Sequence, residues 1–173
     1  MTLIEDLYTD AAGTSRNSLE WDPLREADAL QEAGLIDCRV CPLTGRTGLL
    51  LDMRTALHYR TGNAALLVVS GLHSFQWSEQ PLERDLLPFT VMSSTPMTDS
   101  RTWRMEIGLF PDGRLAVAGA RAEFHLFKVE GIPDGPPDYM GRRLDEVRHE
   151  LPWWDSACAV LQASTSAGAD ASK

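Results

Sequence analysis

Lysine is almost absent from this chain: Lys128 and Lys173 stand against fourteen arginines. No basic stripe results that could follow a nucleic-acid backbone, which excludes DNA or RNA as the expected partner. No apolar run approaches the ~18 residues of a membrane-spanning helix. The start, Met1-Thr2-Leu3-Ile4-Glu5-Asp6, is acidic and lacks the basic and apolar parts of a signal peptide, so a cytoplasmic location without membrane contact is expected. Three cysteines, an odd number, cannot form a complete disulfide framework. No phosphate loop, dinucleotide fingerprint, nucleophile elbow or zinc quartet occurs, and no cofactor is expected.

Charge is present but unevenly spread. The net charge is −9. Residues 1–33 hold eight acids and two arginines, a net of −6, and residues 34–133 hold ten of each sign. Residues 134–173 hold seven acids and four bases, a net of −3. A neutral centre with acidic ends favours a basic protein partner.

The hydrophobic pattern predicts an α+β, mainly β, fold: an antiparallel sheet or half-open barrel of about six strands. Leu3, Ile4, Leu7 and Tyr8 share one face of a short helix, followed by a loop over 11–18. Asp22 as N-cap, Pro23 at the first helical position and Gly34 after the end predict an N-terminal helix over 23–33. From Leu35 the period becomes two, predicting a hairpin of 35–41 with 47–55. A register placing Asp37 opposite Arg54 and Arg39 opposite Asp52 satisfies the charges across the pair. Residues 65–77 read as one strand bent near Gly71, 78–88 as a loop and 89–94 as an edge strand stopped by Pro96. Residues 102–110 carry Trp103, Met105, Ile107 and Leu109 on one face. After the turn Pro111-Asp112-Gly113, residues 114–129 return, with Ala116, Ala118, Ala120, Ala122, Phe124 and Leu126 expected on one face. A short C-terminal helix is expected over 142–151. Residues 1–162 read as one domain and 163–173 as a disordered tail.

Few residues suggest chemistry. Cys38 and Cys41 form a C-x-x-C, but on a strand positions three apart point to opposite faces, so a shared metal is not expected. Glu123 and His125 share a strand face and suit an acid–base pair. With His73 they are the polar candidates for a pocket on the sheet, the alternative reading as a small enzyme or ligand-binding protein. Tyr139, Trp153 and Trp154 lie in an acidic, proline-rich stretch with Asp138, Asp145 and Glu146. Aromatic anchors beside acids suit a protein interface, and these six are the candidate binding residues.

The stretch from Ala64 through Ser70-Gly71-Leu72-His73-Ser74-Phe75-Gln76-Trp77, and the stretch from Gly113-Arg114-Leu115 to Glu123-Phe124, resemble segments of small β-rich bacterial immunity proteins of polymorphic-toxin systems. The resemblance covers about a third of the chain. It implies a non-enzymatic cytoplasmic protein that binds and neutralises a toxin. The excess of arginine over lysine fits a high-GC bacterial source.

Overall fold

The computed structural model describes residues 2–9, 18–79 and 86–168. The expected loop at 11–18 except Ser18, most of that at 78–88 and the last five residues of the expected tail lie outside them. The elements in chain order are β1 (Thr2–Leu3), α1 (Ile4–Thr9), β2 (Gly34–Cys41), β3 (Arg46–Asp52), β4 (Ala64–Glu79) and β5 (Phe89–Thr98). They continue with β6 (Trp103–Phe110), β7 (Gly113–Val129), α2 (Leu144–Val147), a 3₁₀ turn (Arg148–Glu150) and β8 (Ala157–Ala167).

The eight strands among the described residues form one antiparallel sheet, in the order β1-β8-β7-β4-β3-β2-β5-β6, and β6 pairs back onto β7. Strands β2 to β7 therefore make a ring of six. The ring is weakest between β2 and β5, where only Gly34↔Thr90 and Leu35↔Phe89 pair. This is the half-open barrel that the period-two pattern implies. Two long strands turn its corner. The first half of β7 pairs with β6 and with the far half of β4, and its second half pairs with the near half of β4 and with β8.

Glycine makes that corner possible. Gly71 has φ +58°. A Cβ on Gly119 would lie 2.6 Å from Val69 Cγ1 and 2.8 Å from the Ser70 carbonyl oxygen, so the strands approach there closer than any side chain permits. Across this point the inward face of β7 changes parity. Leu115 and Val117 point into the barrel core, and so do Ala122, Phe124 and Leu126. The expected single alanine face is corrected accordingly: Ala116, Ala118 and Ala120 are half-exposed on the outside.

The middle of the sheet is buried on both faces. Leu49, Leu51, Ala65, Leu67 and Phe124 fill the barrel, while Leu50, Leu66, Val68 and Phe127 pack outward under α1 and Trp154. This explains the unbroken apolar runs 49–51 and 64–69, since a strand covered on both sides has no polar face to show. On α1, Ile4 and Tyr8 are buried. Tyr8 enters where Gly48 has no side chain: a Cβ there would lie 2.8 Å from the ring.

Further expectations need correction. Residues 23–33 are not a helix but a chain of turns, with positive φ at Asp28 (59°) and Glu32 (67°). Asp22 caps a single turn, accepting from the Leu24 and Glu26 amides. The next donors then leave for β5: Asp28 N–H bonds the Ser94 carbonyl at 2.7 Å and Glu32 N–H that of Val91 at 2.9 Å. Leu24, Leu30 and Ala33 plug one end of the barrel, and Trp103 Nε1 donates to the Leu24 carbonyl at 3.0 Å.

The early hairpin forms, but in another register. Asp37 faces Leu50 and Arg39 faces Gly48, with a bulge between Leu35 and Asp37. The turn closed by Gly45 N–H to the Cys41 carbonyl sets this alignment, and exposed charge pairs are too weak to move it. Finally, β8 runs to Ala167, through residues expected in a disordered tail. Strand β5 also continues through Pro96 to Thr98. The C-terminal helix shortens to α2 and the 3₁₀ turn.

Candidate functional site

The segment between β7 and β8 has little regular structure, yet it is firmly held. Arg54, just past β3, is the reason. Its Nε and Nη2 grip both oxygens of Asp52 at 2.9 and 2.7 Å. Its Nη1 lies 2.9–3.0 Å from the carbonyls of Pro133, Gly135 and Glu150. One buried guanidinium thus ties the loop after β7 and the 3₁₀ turn to the end of the barrel. Tyr139 is half-buried beside this group, and burial, with Asp52 nearby, pushes its hydroxyl up to about 12.

A cleft of about 600 Å³ opens next to this clamp. Its walls are the end of β7 and the residues after it (Lys128 to Ile132), the residues around the 3₁₀ turn (Asp145, Arg148, His149, Leu151) and the approach to β8 (Trp153 and Asp155 to Ala159). Val129 and Leu151 are buried in its base. The tandem tryptophans separate here. A turn from Trp153 to Ser156, with Trp153 N–H bonded to Ser156 Oγ at 3.0 Å and Ser156 N–H to the Trp153 carbonyl at 2.9 Å, sends the two rings apart. Trp153 is half-buried at the cleft, with the Arg148 guanidinium 5.6 Å from its ring. Trp154 turns into the second core, only 1% exposed, donating from Nε1 to Asp37 at 2.7 Å with Arg39 stacked on it at 4.2 Å.

Of the six expected binding residues, Asp145 and Trp153 line this cleft. Asp138 and Tyr139 line a shallower hollow with Met140, and Glu146 is exposed on α2. Trp154 is withdrawn from the set: a ring packed inside a core cannot meet a partner. The cleft-forming residues that sequence reading missed are Val129, Ile132, Leu151 and Cys158. Their only signal was apolar character, which elsewhere in the chain means core.

The second candidate group divides differently. Glu123 and His125 adjoin on the outer face of β7, 3.5 Å apart and 2% and 5% exposed. His125, and Arg121 at 3.0 Å, hold the Glu123 carboxyl below its ordinary value against the effect of burial. His73 is elsewhere, exposed beyond the bend of β4 and 3.4 Å from the Thr102 hydroxyl. Catalysis needs a substrate within reach of the pair, and neither residue lines the cleft. Cys38 packs against the barrel core and Cys41 against the second core, on opposite faces of β2. Among the described residues no helix is long and apolar enough to cross a membrane.

Comparison with protein-family models, with curated proteins and with solved structures returns no match to this chain.

Proposed function

We propose that this chain is a non-enzymatic protein-binding module, that its docking surface is the 134–155 segment with the cleft beside it, and that its partner is a basic protein. A toxin neutralised by an immunity protein is the specific case suggested by the sequence resemblance. The carrying observation is the charge balance of this surface. Arg142 is tied to Glu150 at 2.8 Å, Arg143 to Asp145 at 3.1 Å and Arg148 to Asp155 at 3.1 Å. Asp134, Asp138 and Glu146 are exposed and have no cationic partner among the described residues. Next to them Met140 is 86% exposed and Leu144 41%. Uncompensated acids around exposed apolar side chains favour a partner of opposite charge, and exposed charges act mainly on the rate and selectivity of encounter.

The enzymatic alternative has less support, because its one close pair is buried and its second histidine lies apart. The test is affinity capture from the source organism with the wild-type chain and with the triple variant Asp134→Asn, Asp138→Asn, Glu146→Gln. A basic protein held by the wild type and lost from the variant as salt rises supports the reading. Equal retention at every salt concentration places the surface elsewhere.

A further inference from the structure

We infer that the cleft between β7, the 3₁₀ turn and β8 is a pocket for one large aliphatic or aromatic side chain of the partner, presented by a segment that carries lysine or arginine on one flank. The inference rests on the reading of the 134–155 surface as a docking site and specifies what enters it.

The charges at the pocket are paired. Lys128 lies 3.5 Å from Glu130 and Arg148 3.1 Å from Asp155, while Asp145 pairs at 3.1 Å with Arg143 outside the lining. What remains at the base is apolar: Val129, Ile132, Leu151 and Cys158, with the Trp153 ring as a wall. A charged group entering here would lose hydration and gain no free counter-charge, whereas an apolar group removes greasy surface from water on both partners. The uncompensated Asp134 and Glu146 follow the lining residues Ile132 and Asp145 closely in the chain. An occupant apolar at its centre and cationic on the flank that meets these acids fits both features.

The pocket is also set before anything binds. The Trp153–Ser156 turn fixes one wall, and the Arg54 clamp on the Pro133, Gly135 and Glu150 carbonyls fixes the segments forming the others. A site already ordered loses less freedom on binding, which favours a side-chain anchor there over a loose surface contact. Buried anchors in such pockets supply most of the affinity of an interface.

The test uses blocked pentapeptides as probes: Lys-Lys-Leu-Lys-Lys, the same peptide with alanine at its centre, and Glu-Glu-Leu-Glu-Glu. Binding is read from the Trp153 indole and the Ile132 and Leu151 amides by NMR. The leucine-centred basic peptide should shift these signals and bind about tenfold or more tightly than its alanine form. Ala159→Phe, at an exposed strand position on the pocket wall, should abolish the shifts while leaving the rest of the spectrum in place. Equal binding of the alanine peptide, persistence of the shifts in Ala159→Phe, or a self-associated wild type that Ala159→Phe makes monomeric would overturn the pocket assignment. The triple acid variant tests the underlying reading separately. Unchanged affinity and salt dependence there would remove the acidic surface from recognition even if the pocket still takes leucine.

Discussion

Arg54 and Asp52, two residues apart in sequence, form a bidentate ion pair whose side chains are 2% and 4% exposed. The sequence placed each of them opposite a different partner across a hairpin. In the structure they turn to each other at the end of β3, and the remaining guanidinium hydrogens hold the chain between β7 and β8.

Removing one member of such a pair strands the other charge in the interior. Arg54→Met should cost about 3–5 kcal/mol of stability. The loss should concentrate in residues 131–151, where amide hydrogen exchange would accelerate more than in β3 or β4. Urea denaturation with site-resolved exchange checks both. A variant as stable as wild type, with protection unchanged in 131–151, would refute the clamp.

Trp154 is packed in the second core. Trp154→Ala should destabilise by about 3–5 kcal/mol through the cavity it leaves. Trp154→Phe, which keeps most of the packing but removes the donor to Asp37, should cost about 1–3 kcal/mol. Thermal or urea unfolding of the two variants distinguishes these effects, and a Trp154→Phe variant as stable as wild type would mean that the hydrogen bond contributes nothing.

Acid should weaken the fold through Glu123. Its carboxyl is held low by His125 and Arg121, so its contribution to stability is present above the unfolded-state value and is lost as pH falls through the folded-state value. As pH falls below the ordinary carboxylate range the wild type should therefore lose more stability than Glu123→Gln. Parallel slopes for the two proteins would show that the carboxylate is not held in this way.

The three cysteines should differ in reactivity. Burial pushes the Cys38 thiol up to about 12 and Cys158 up to about 11. The Thr44 hydroxyl and the Thr44 and Leu43 amides, in the turn after β2, lower that of Cys41. The thiolate is the nucleophile, so iodoacetamide at neutral pH should label Cys41 first. Peptide mapping over time reads the order directly, and earlier labelling of Cys38 or Cys158 would contradict it.

Local order alone determined several features. Alternation in Trp103–Leu109 gives β6 its buried face, Pro111-Asp112-Gly113 gives the turn into β7, and glycine at 71 gives the bend of β4. Each depends on neighbours a few residues apart, where strand geometry and backbone sterics decide. The acidic, aromatic character of 134–155 was legible for the same reason. Other features depended on distant partners. The helix signals at Asp22 and Pro23 yielded to β5, whose carbonyls took the donors that a helix would have used. The hairpin register followed its turn and not its charges. The end of strand β8 from Ala163 to Ala167, small and polar by composition, found a partner edge on β7. Whether Trp153 or Trp154 faced outward was decided by a turn and by Asp37, which lies 117 residues before Trp154. A sequence records which groups must be buried or bonded, but the choice among partners far along the chain is made only when the sheet closes and brings them within reach.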